Sequence, residues 1–173
     1  MPHDRIHARA ILEVRHERPY DFDEARGLWL YRRVDGDERY ENILTNAGRV
    51  TIHTFIYGTS AQRASASLGA GLNYVGVSDS ATLPAAGDTS LAGELTADGL
   101  GRAQGTVTLP TGAQTVTQVL RQFTYTGDDP QGVQKAALFD AASGGHMAHE
   151  LLFNQRIMNP NDTLTLIFNI TVS

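Results

Sequence analysis

From residue 72 onward the sequence alternates short β-prone runs with clusters of turn-forming residues. The runs are Leu72–Val77, Leu91–Thr96, Ala103–Leu109, Thr115–Thr126, Val133–Phe139, Met147–Phe153 and Thr163–Val172. Between them stand Pro84-Ala85-Ala86-Gly87-Asp88, Asp98-Gly99, Pro110-Thr111-Gly112, Gly127-Asp128-Asp129-Pro130, Ser143-Gly144-Gly145 and Asn159-Pro160-Asn161-Asp162. Glycine supplies positive φ in such clusters, proline withdraws an amide donor, and Asp or Asn closes a turn with its own side chain. Short strands at intervals of about 8 to 12 residues bury their apolar faces against each other, so the chain is expected to be mainly β, an antiparallel β-sandwich or barrel-like body. The last run is the clearest. Leu164, Leu166, Phe168, Ile170 and Val172 share one face, Thr163, Thr165, Asn169 and Thr171 the other, and only Ile167 breaks the alternation. Five apolar side chains at about 1.5 to 3 kcal/mol each predict a central strand.

Ahead of the β runs, Thr45 or Asn46 is placed to cap one short helix through Phe55 or Tyr57, ended by Gly58. Thr59 to Gly71 is small and polar and reads as a loop. A composition boundary lies just before this helix. Residues 1–45 hold 18 charged residues and the other 128 hold 15, whereas every threonine lies at Thr45 or later and every serine at Ser60 or later. The expected organisation is therefore a charged N-terminal arm over 1–41 and a β-sandwich body over 42–173. Within the arm, Ala10–His16 alternates as a half-buried strand, and Arg18–Asp23 reads as a loop because of Pro19. Leu28–Val34 leads into Asp35-Gly36, which reads as a type I′ hairpin tip. Thirteen of the fourteen basic residues are arginine, the cation favoured at protein interfaces. Trp29, Tyr31, Arg32, Arg33, Arg39 and Tyr40, gathered on this segment, are the candidate protein-interface residues.

The chemistry of catalysis is sparse. With no cysteine there is no disulfide, thiolate site or thiol nucleophile, and a net charge of −5 argues against nucleic acid as a partner. No apolar run suits a membrane-spanning helix or a secretory leader, so a membrane is not expected either. His146 and His149, placed in a strand, fall on opposite faces and lack a metal-binding pattern. Gly69-Ala70-Gly71 with Gly76 lacks the strand-to-helix context of a dinucleotide fingerprint. No serine sits in G-x-S-x-G, and Lys135 follows no phosphate-binding loop. Asp128-Asp129 and the pair Asp35 and Asp37 have ordinary turn roles. Catalytic, metal and cofactor residues are accordingly expected to be none.

Four motifs in order carry a family likeness: Asn42-Ile43-Leu44-Thr45-Asn46-Ala47-Gly48-Arg49; Tyr74-Val75-Gly76-Val77 leading to Leu83-Pro84-Ala85-Ala86-Gly87-Asp88-Thr89-Ser90-Leu91-Ala92-Gly93-Glu94; Lys135-Ala136-Ala137-Leu138-Phe139-Asp140-Ala141; and Asn161-Asp162-Thr163-Leu164-Thr165-Leu166. Over roughly residues 42–172 the chain resembles small structural proteins of tailed bacteriophages. The resemblance implies a non-enzymatic virion component, assembled in the host cytoplasm as a homo-oligomer such as a trimer, with the major capsid protein or other virion subunits as partners. A capsid decoration, or cement, protein is the first expectation. A tail, baseplate or fibre-attachment component is the second, and a carbohydrate-binding β-sandwich is the alternative from another class.

Overall fold

The computed structural model describes residues 8–23, 28–34, 38–41, 43–48, 50–51, 71–109 and 116–172. The described residues form two antiparallel sheets. The first is built from β1 (Ala8–Asp23), β2 (Leu28–Arg33), β3 (Glu38–Glu41), β7 (Thr106–Thr108), β8 (Val116–Thr124) and β11 (Thr163–Val172), in the order β2-β1-β11-β8-β7, with β3 also on β1. The second is built from β4 (Ile43–Leu44), β5 (Tyr74–Ser78), β6 (Ala103–Gln104), β9 (Gln131–Phe139) and β10 (Met147–Met158), in the order β4-β10-β9-β5-β6. The expected β-sandwich architecture is thus what the chain adopts.

The core lies between the sheets. Leu12 and Val14 of β1, Leu164, Leu166 and Phe168 of β11, and Val119 and Phe123 of β8 pack against Val75, Val77, Val133, Ala136, Leu138, Leu151, Phe153 and Met158, all fully or almost fully buried. β11 is paired on both sides, with β1 and with β8, as its alternation predicts. The turn before it also follows from sequence. Asp162 N–H donates to Asn159 C=O at 2.9 Å, with Pro160 and then Asn161, at φ 67°, in the corners. That is the arrangement of a type II turn.

The N-terminal segment departs from expectation. Residues 8–17 of β1 pair with β11 without a break, from Ala8↔Val172 to Glu17↔Thr163. β1 is therefore a strand of the body, and the composition boundary near residue 45 marks no break in the fold. Charge accumulates there because one side of β1 faces outward: Glu13, Arg15 and Glu17 are only partly buried, whereas Leu12, Val14 and His16 are buried on the other side. Arg18–Asp23, expected as a loop, continues the strand. The register shifts between Pro19 and Asp21, so the missing proline donor falls at a bulge. The Asp35-Gly36 hairpin is also replaced. β2 and β3 both run antiparallel to β1 and follow one another along the same edge of it, so the hairpin is β1/β2, joined through residues 24–27 outside the described set. Residues 35–37 lie outside that set too. An Asp-Gly turn of the anticipated type forms instead at Asp98-Gly99, with φ of 53° and 79° and Leu100 N–H donating to Ala97 C=O at 2.9 Å.

The expected short helix is present, whereas one expected strand is not. Residues 46–48 and 50–51 are helical, capped by Thr45 Oγ1, which accepts from Gly48 N–H at 3.0 Å; residues 52–70 lie outside the described set. Leu91–Thr96 contributes only a bridge, Glu94 to Ser78. Its residues instead cover the outer face of the second sheet, where Leu91 packs with Ala137, Phe139 and Met147.

Because β1 sits between β11 and β2/β3, removing residues 1–41 is expected to abolish folding. Leu12→Ala is expected to cost about 2 to 5 kcal/mol through the cavity it leaves. Urea unfolding followed by circular dichroism measures both.

Candidate functional site

β1 outruns its partner. β11 begins opposite Glu17, so among the described residues Arg18–Asp23 pair only with β2. Six residues at about 3.3 Å each form a two-stranded ribbon roughly 20 Å long beyond the last pairing with β11. Such a ribbon needs a firm root, and the structure provides one. Asp162, fully buried in the turn before β11, accepts from His16 Nε2 at 3.0 Å and from Asn159 N–H at 2.9 Å. Arg18 closes on the same carboxylate, with Nε at 3.0 and 3.2 Å from its two oxygens and Nη2 at 3.0 Å. Burial alone would raise the pKa of Asp162, but the bonds from Arg18, Asn159 N–H and His16 outweigh it and hold the carboxyl below its ordinary range. The ribbon thus springs from a charge-assisted clamp.

The interface candidates separate along this ribbon. Tyr31 (42% exposed), Arg32 and Arg33 lie on β2 and are exposed, paired across the ladder with Pro19, Arg18 and Glu17. Trp29 stands on the same strand opposite Phe22, and Arg39 on β3 opposite Glu13; their side chains lie outside the described set. Tyr40 behaves differently from expectation. It packs on the core, with its ring centroid 6.0 Å from that of Phe153 and its hydroxyl accepting from Asn154 N–H at 3.0 Å, so it fastens β3 to β10. β3 brings Tyr40 opposite Leu12, which faces inward, and that register could not be read from the tyrosine itself.

The outer face of the first sheet carries a ladder of uncharged polar groups. Gln118 Nε2 donates to Asn169 Oδ1 at 2.7 Å, Asn169 Nδ2 donates to Glu13 Oε1 at 3.4 Å, and Gln122 Nε2 donates to Thr165 Oγ1 at 3.3 Å. Thr106 and Thr108 on edge strand β7 are exposed beside it. Thr163, expected on this open face, is instead buried.

Titratable groups elsewhere are held in structural contacts. His146 precedes β10, with its Nδ1 2.9 Å from Asp140 Oδ2 and its N–H donating to Asp140 Oδ1 at 2.7 Å. His149 is buried against the core, and burial lowers its pKa from 6.5 to about 4. Arg102 grips Glu94 with two bonds of 2.7 and 2.6 Å and stacks 3.3 Å above the Phe139 ring. Lys135 and Glu150 form a fully buried ion pair of 2.9 Å under the 79–90 segment. Among the described residues no group of three His, Cys, Asp or Glu side chains could hold a metal ion, and no helix is long and apolar enough to cross a membrane. No protein-family model matches the chain, and no curated protein matches it either.

Two stability effects follow. Asp162→Ala is expected to cost about 3 to 5 kcal/mol, because it strands a buried histidine and the Arg18 head. The second effect depends on pH. An unfolded chain protonates residue 149 near pH 6.5, whereas the folded chain resists until about pH 4. The contribution of His149 is therefore complete above pH 6.5 and is lost as pH falls, by roughly 3 kcal/mol at pH 4. Glu150, raised by burial, works in the opposite sense, gaining stability as pH falls through its folded value. Denaturation midpoints at pH 7 and 4.5, compared between the native chain and His149→Leu, isolate the histidine: the variant is expected to lose less stability on acidification.

Proposed function

We propose that this chain is a non-enzymatic structural subunit of a tailed-phage particle, a decoration protein that fastens neighbouring subunits of the shell. The observation that carries the reading is the β1/β2 ribbon, which continues past the last pairing with β11 from a buried clamp. A two-stranded ribbon alone is only marginally stable in water, so one held at its root is suited to being covered by a neighbour. Its edges offer backbone donors and acceptors for strand addition, and Tyr31, Arg32 and Arg33 supply planar contact area. Each such contact is modest. Repetition over a lattice multiplies it, which is how many weak arms resist internal pressure. The four ordered sequence motifs supply the phage context, and the buried structural pairing of the acids and histidines is consistent with a mechanical role.

Quantitative mass spectrometry of purified particles tests the location. A copy number equal to the major shell protein, or a simple fraction of it, supports a decoration protein; a few per cent moves the chain to the tail, and absence from particles overturns the proposal. A second test concerns the ribbon itself. Joining Pro19 to Tyr31 through an Asn-Gly turn, with residues 20–30 removed, is expected to leave a cooperatively folding sandwich that no longer joins the particle. Normal incorporation of that variant would show that the ribbon is not the arm.

A further inference from the structure

Asp129-Pro130 is the only Asp-Pro pair in the chain. It lies in the turn that carries the chain from β8, in the first sheet, to β9, in the second. Proline makes the linking amide tertiary, with no N–H and a nitrogen more basic than that of an ordinary peptide bond. Such a nitrogen accepts a proton and departs more readily. The aspartate ahead of it places a carboxylate where it can close a five-membered ring on the linking carbonyl carbon, an attack within one residue. Both residues are exposed, and among the described residues no hydrogen bond or ion pair engages the Asp129 side chain.

The other half of the site is Tyr125. Its side chain is buried, and its hydroxyl donates to the backbone C=O of Asp129 at 2.5 Å. That carbonyl is the one bonded to Pro130. A Cβ on Gly127 would collide with the Tyr125 hydroxyl oxygen, so the glycine keeps the path of the hydroxyl clear. Tyr125 is itself fixed through its backbone: its N–H donates to Asp162 C=O at 2.9 Å, and its C=O accepts from Asn161 N–H at 2.8 Å. An O–H held on a carbonyl oxygen stabilises the negative charge that develops there when the carbon is attacked. A turn contact alone would account for the hydroxyl bond. It falls, however, on the one peptide bond of the chain that joins an adjoining carboxylate to an easily protonated nitrogen.

We propose that the Asp129–Pro130 bond is a self-cleavage site, cut in mild acid by the carboxylate of Asp129 with the Tyr125 hydroxyl as donor to the carbonyl. An oxygen of the Asp129 carboxylate attacks the backbone carbonyl carbon of the same residue, and the Tyr125 O–H supports the charge that develops on the carbonyl oxygen. The carbon–nitrogen bond to Pro130 breaks. The departing nitrogen keeps the electron pair and takes a proton from hydronium, leaving a cyclic anhydride on Asp129. One water then opens the anhydride to two carboxyl groups. The sum is hydrolysis of one peptide bond, with water and hydronium from the solvent as the only co-reactants. The product is a two-piece subunit, 1–129 and 130–173. β9 stays paired with β5 and β10, and β11 with β1 and β8, so the pieces remain assembled. What the cut removes is a covalent tie between the two sheets.

Mass spectrometry under denaturing conditions, on full-length protein held at about pH 5, decides the matter. Asp-Pro bonds hydrolyse slowly in any acidified chain, so the reference is the same protein unfolded in urea at the same pH. Two fragments are expected, one ending at Asp129 and one beginning at Pro130, with masses that sum to the native chain plus one water. They are expected to form roughly 100-fold faster from the folded protein, the contribution of a single donor to a developing oxyanion. Tyr125→Phe is expected to lose most of that acceleration with its far-UV spectrum retained. Asp129→Glu keeps the charge and the backbone carbonyl but needs a six-membered ring, and it is expected to stay intact. A folded chain cut no faster than the unfolded one overturns the proposal, as does a Tyr125→Phe variant cut at the native rate or cleavage at another bond.

Discussion

Asp162 is a carboxylate with no exposed surface, and three parts of the molecule meet on it. The turn that starts β11 donates a backbone N–H to it, the inward face of β1 sends His16, and the root of the ribbon sends Arg18. Each donor offsets part of the desolvation that a buried charge incurs, and none could do so alone. The clamp therefore requires β1 to lie beside β11 in one register. That register, in turn, places Leu12 and Val14 opposite Phe168 and Leu166 in the core.

The two sheets dispose of their outer faces differently. The first presents Gln, Asn and Thr side chains on β8 and β11 that hydrogen-bond to one another and to Glu13 of β1. The second is covered from outside by the 79–102 segment, which has almost no strand pairing of its own. What holds that segment is side-chain chemistry: Leu91 on Phe139, Arg102 on Glu94 and on the Phe139 ring, and Ser78 Oγ donating to Ala92 C=O at 2.5 Å. Burying the second sheet on both faces is why Lys135 and Glu150 sit in a strand yet have almost no exposed surface. A polar residue in an alternating strand normally marks the solvent side. Here a covering loop converts that side into an interior.

The ribbon and the body share a strand. Residues 8–17 of β1 belong to the sheet and 18–23 to the ribbon, so the part that reaches outward cannot move independently of the part that folds. Sequence composition divides the chain elsewhere, near residue 45, because it records how much of each strand faces water and not where hydrogen bonding stops. A charged strand at the margin of a sheet and a charged mobile arm have the same composition. Only the pairing with β11 distinguishes them.

Local chemistry determined the class of fold. Alternation over Thr163–Val172 sets a central strand, Asn159-Pro160-Asn161-Asp162 sets the turn before it, Thr45 caps a helix, and the repeated turn clusters require antiparallel strands. These are properties of a few neighbouring residues, so the sequence alone carries them. Tertiary structure decided everything that depends on residues distant in the chain. It made strand of Arg18–Asp23 despite Pro19, replaced the anticipated hairpin at Asp35-Gly36, turned Tyr40 inward, and buried Lys135 against Glu150 of the neighbouring strand. The physical reason is that backbone partners and burial belong to the assembled sheets. A proline, a tyrosine or a lysine acquires its role only when the strand beside it and the segment above it are in place.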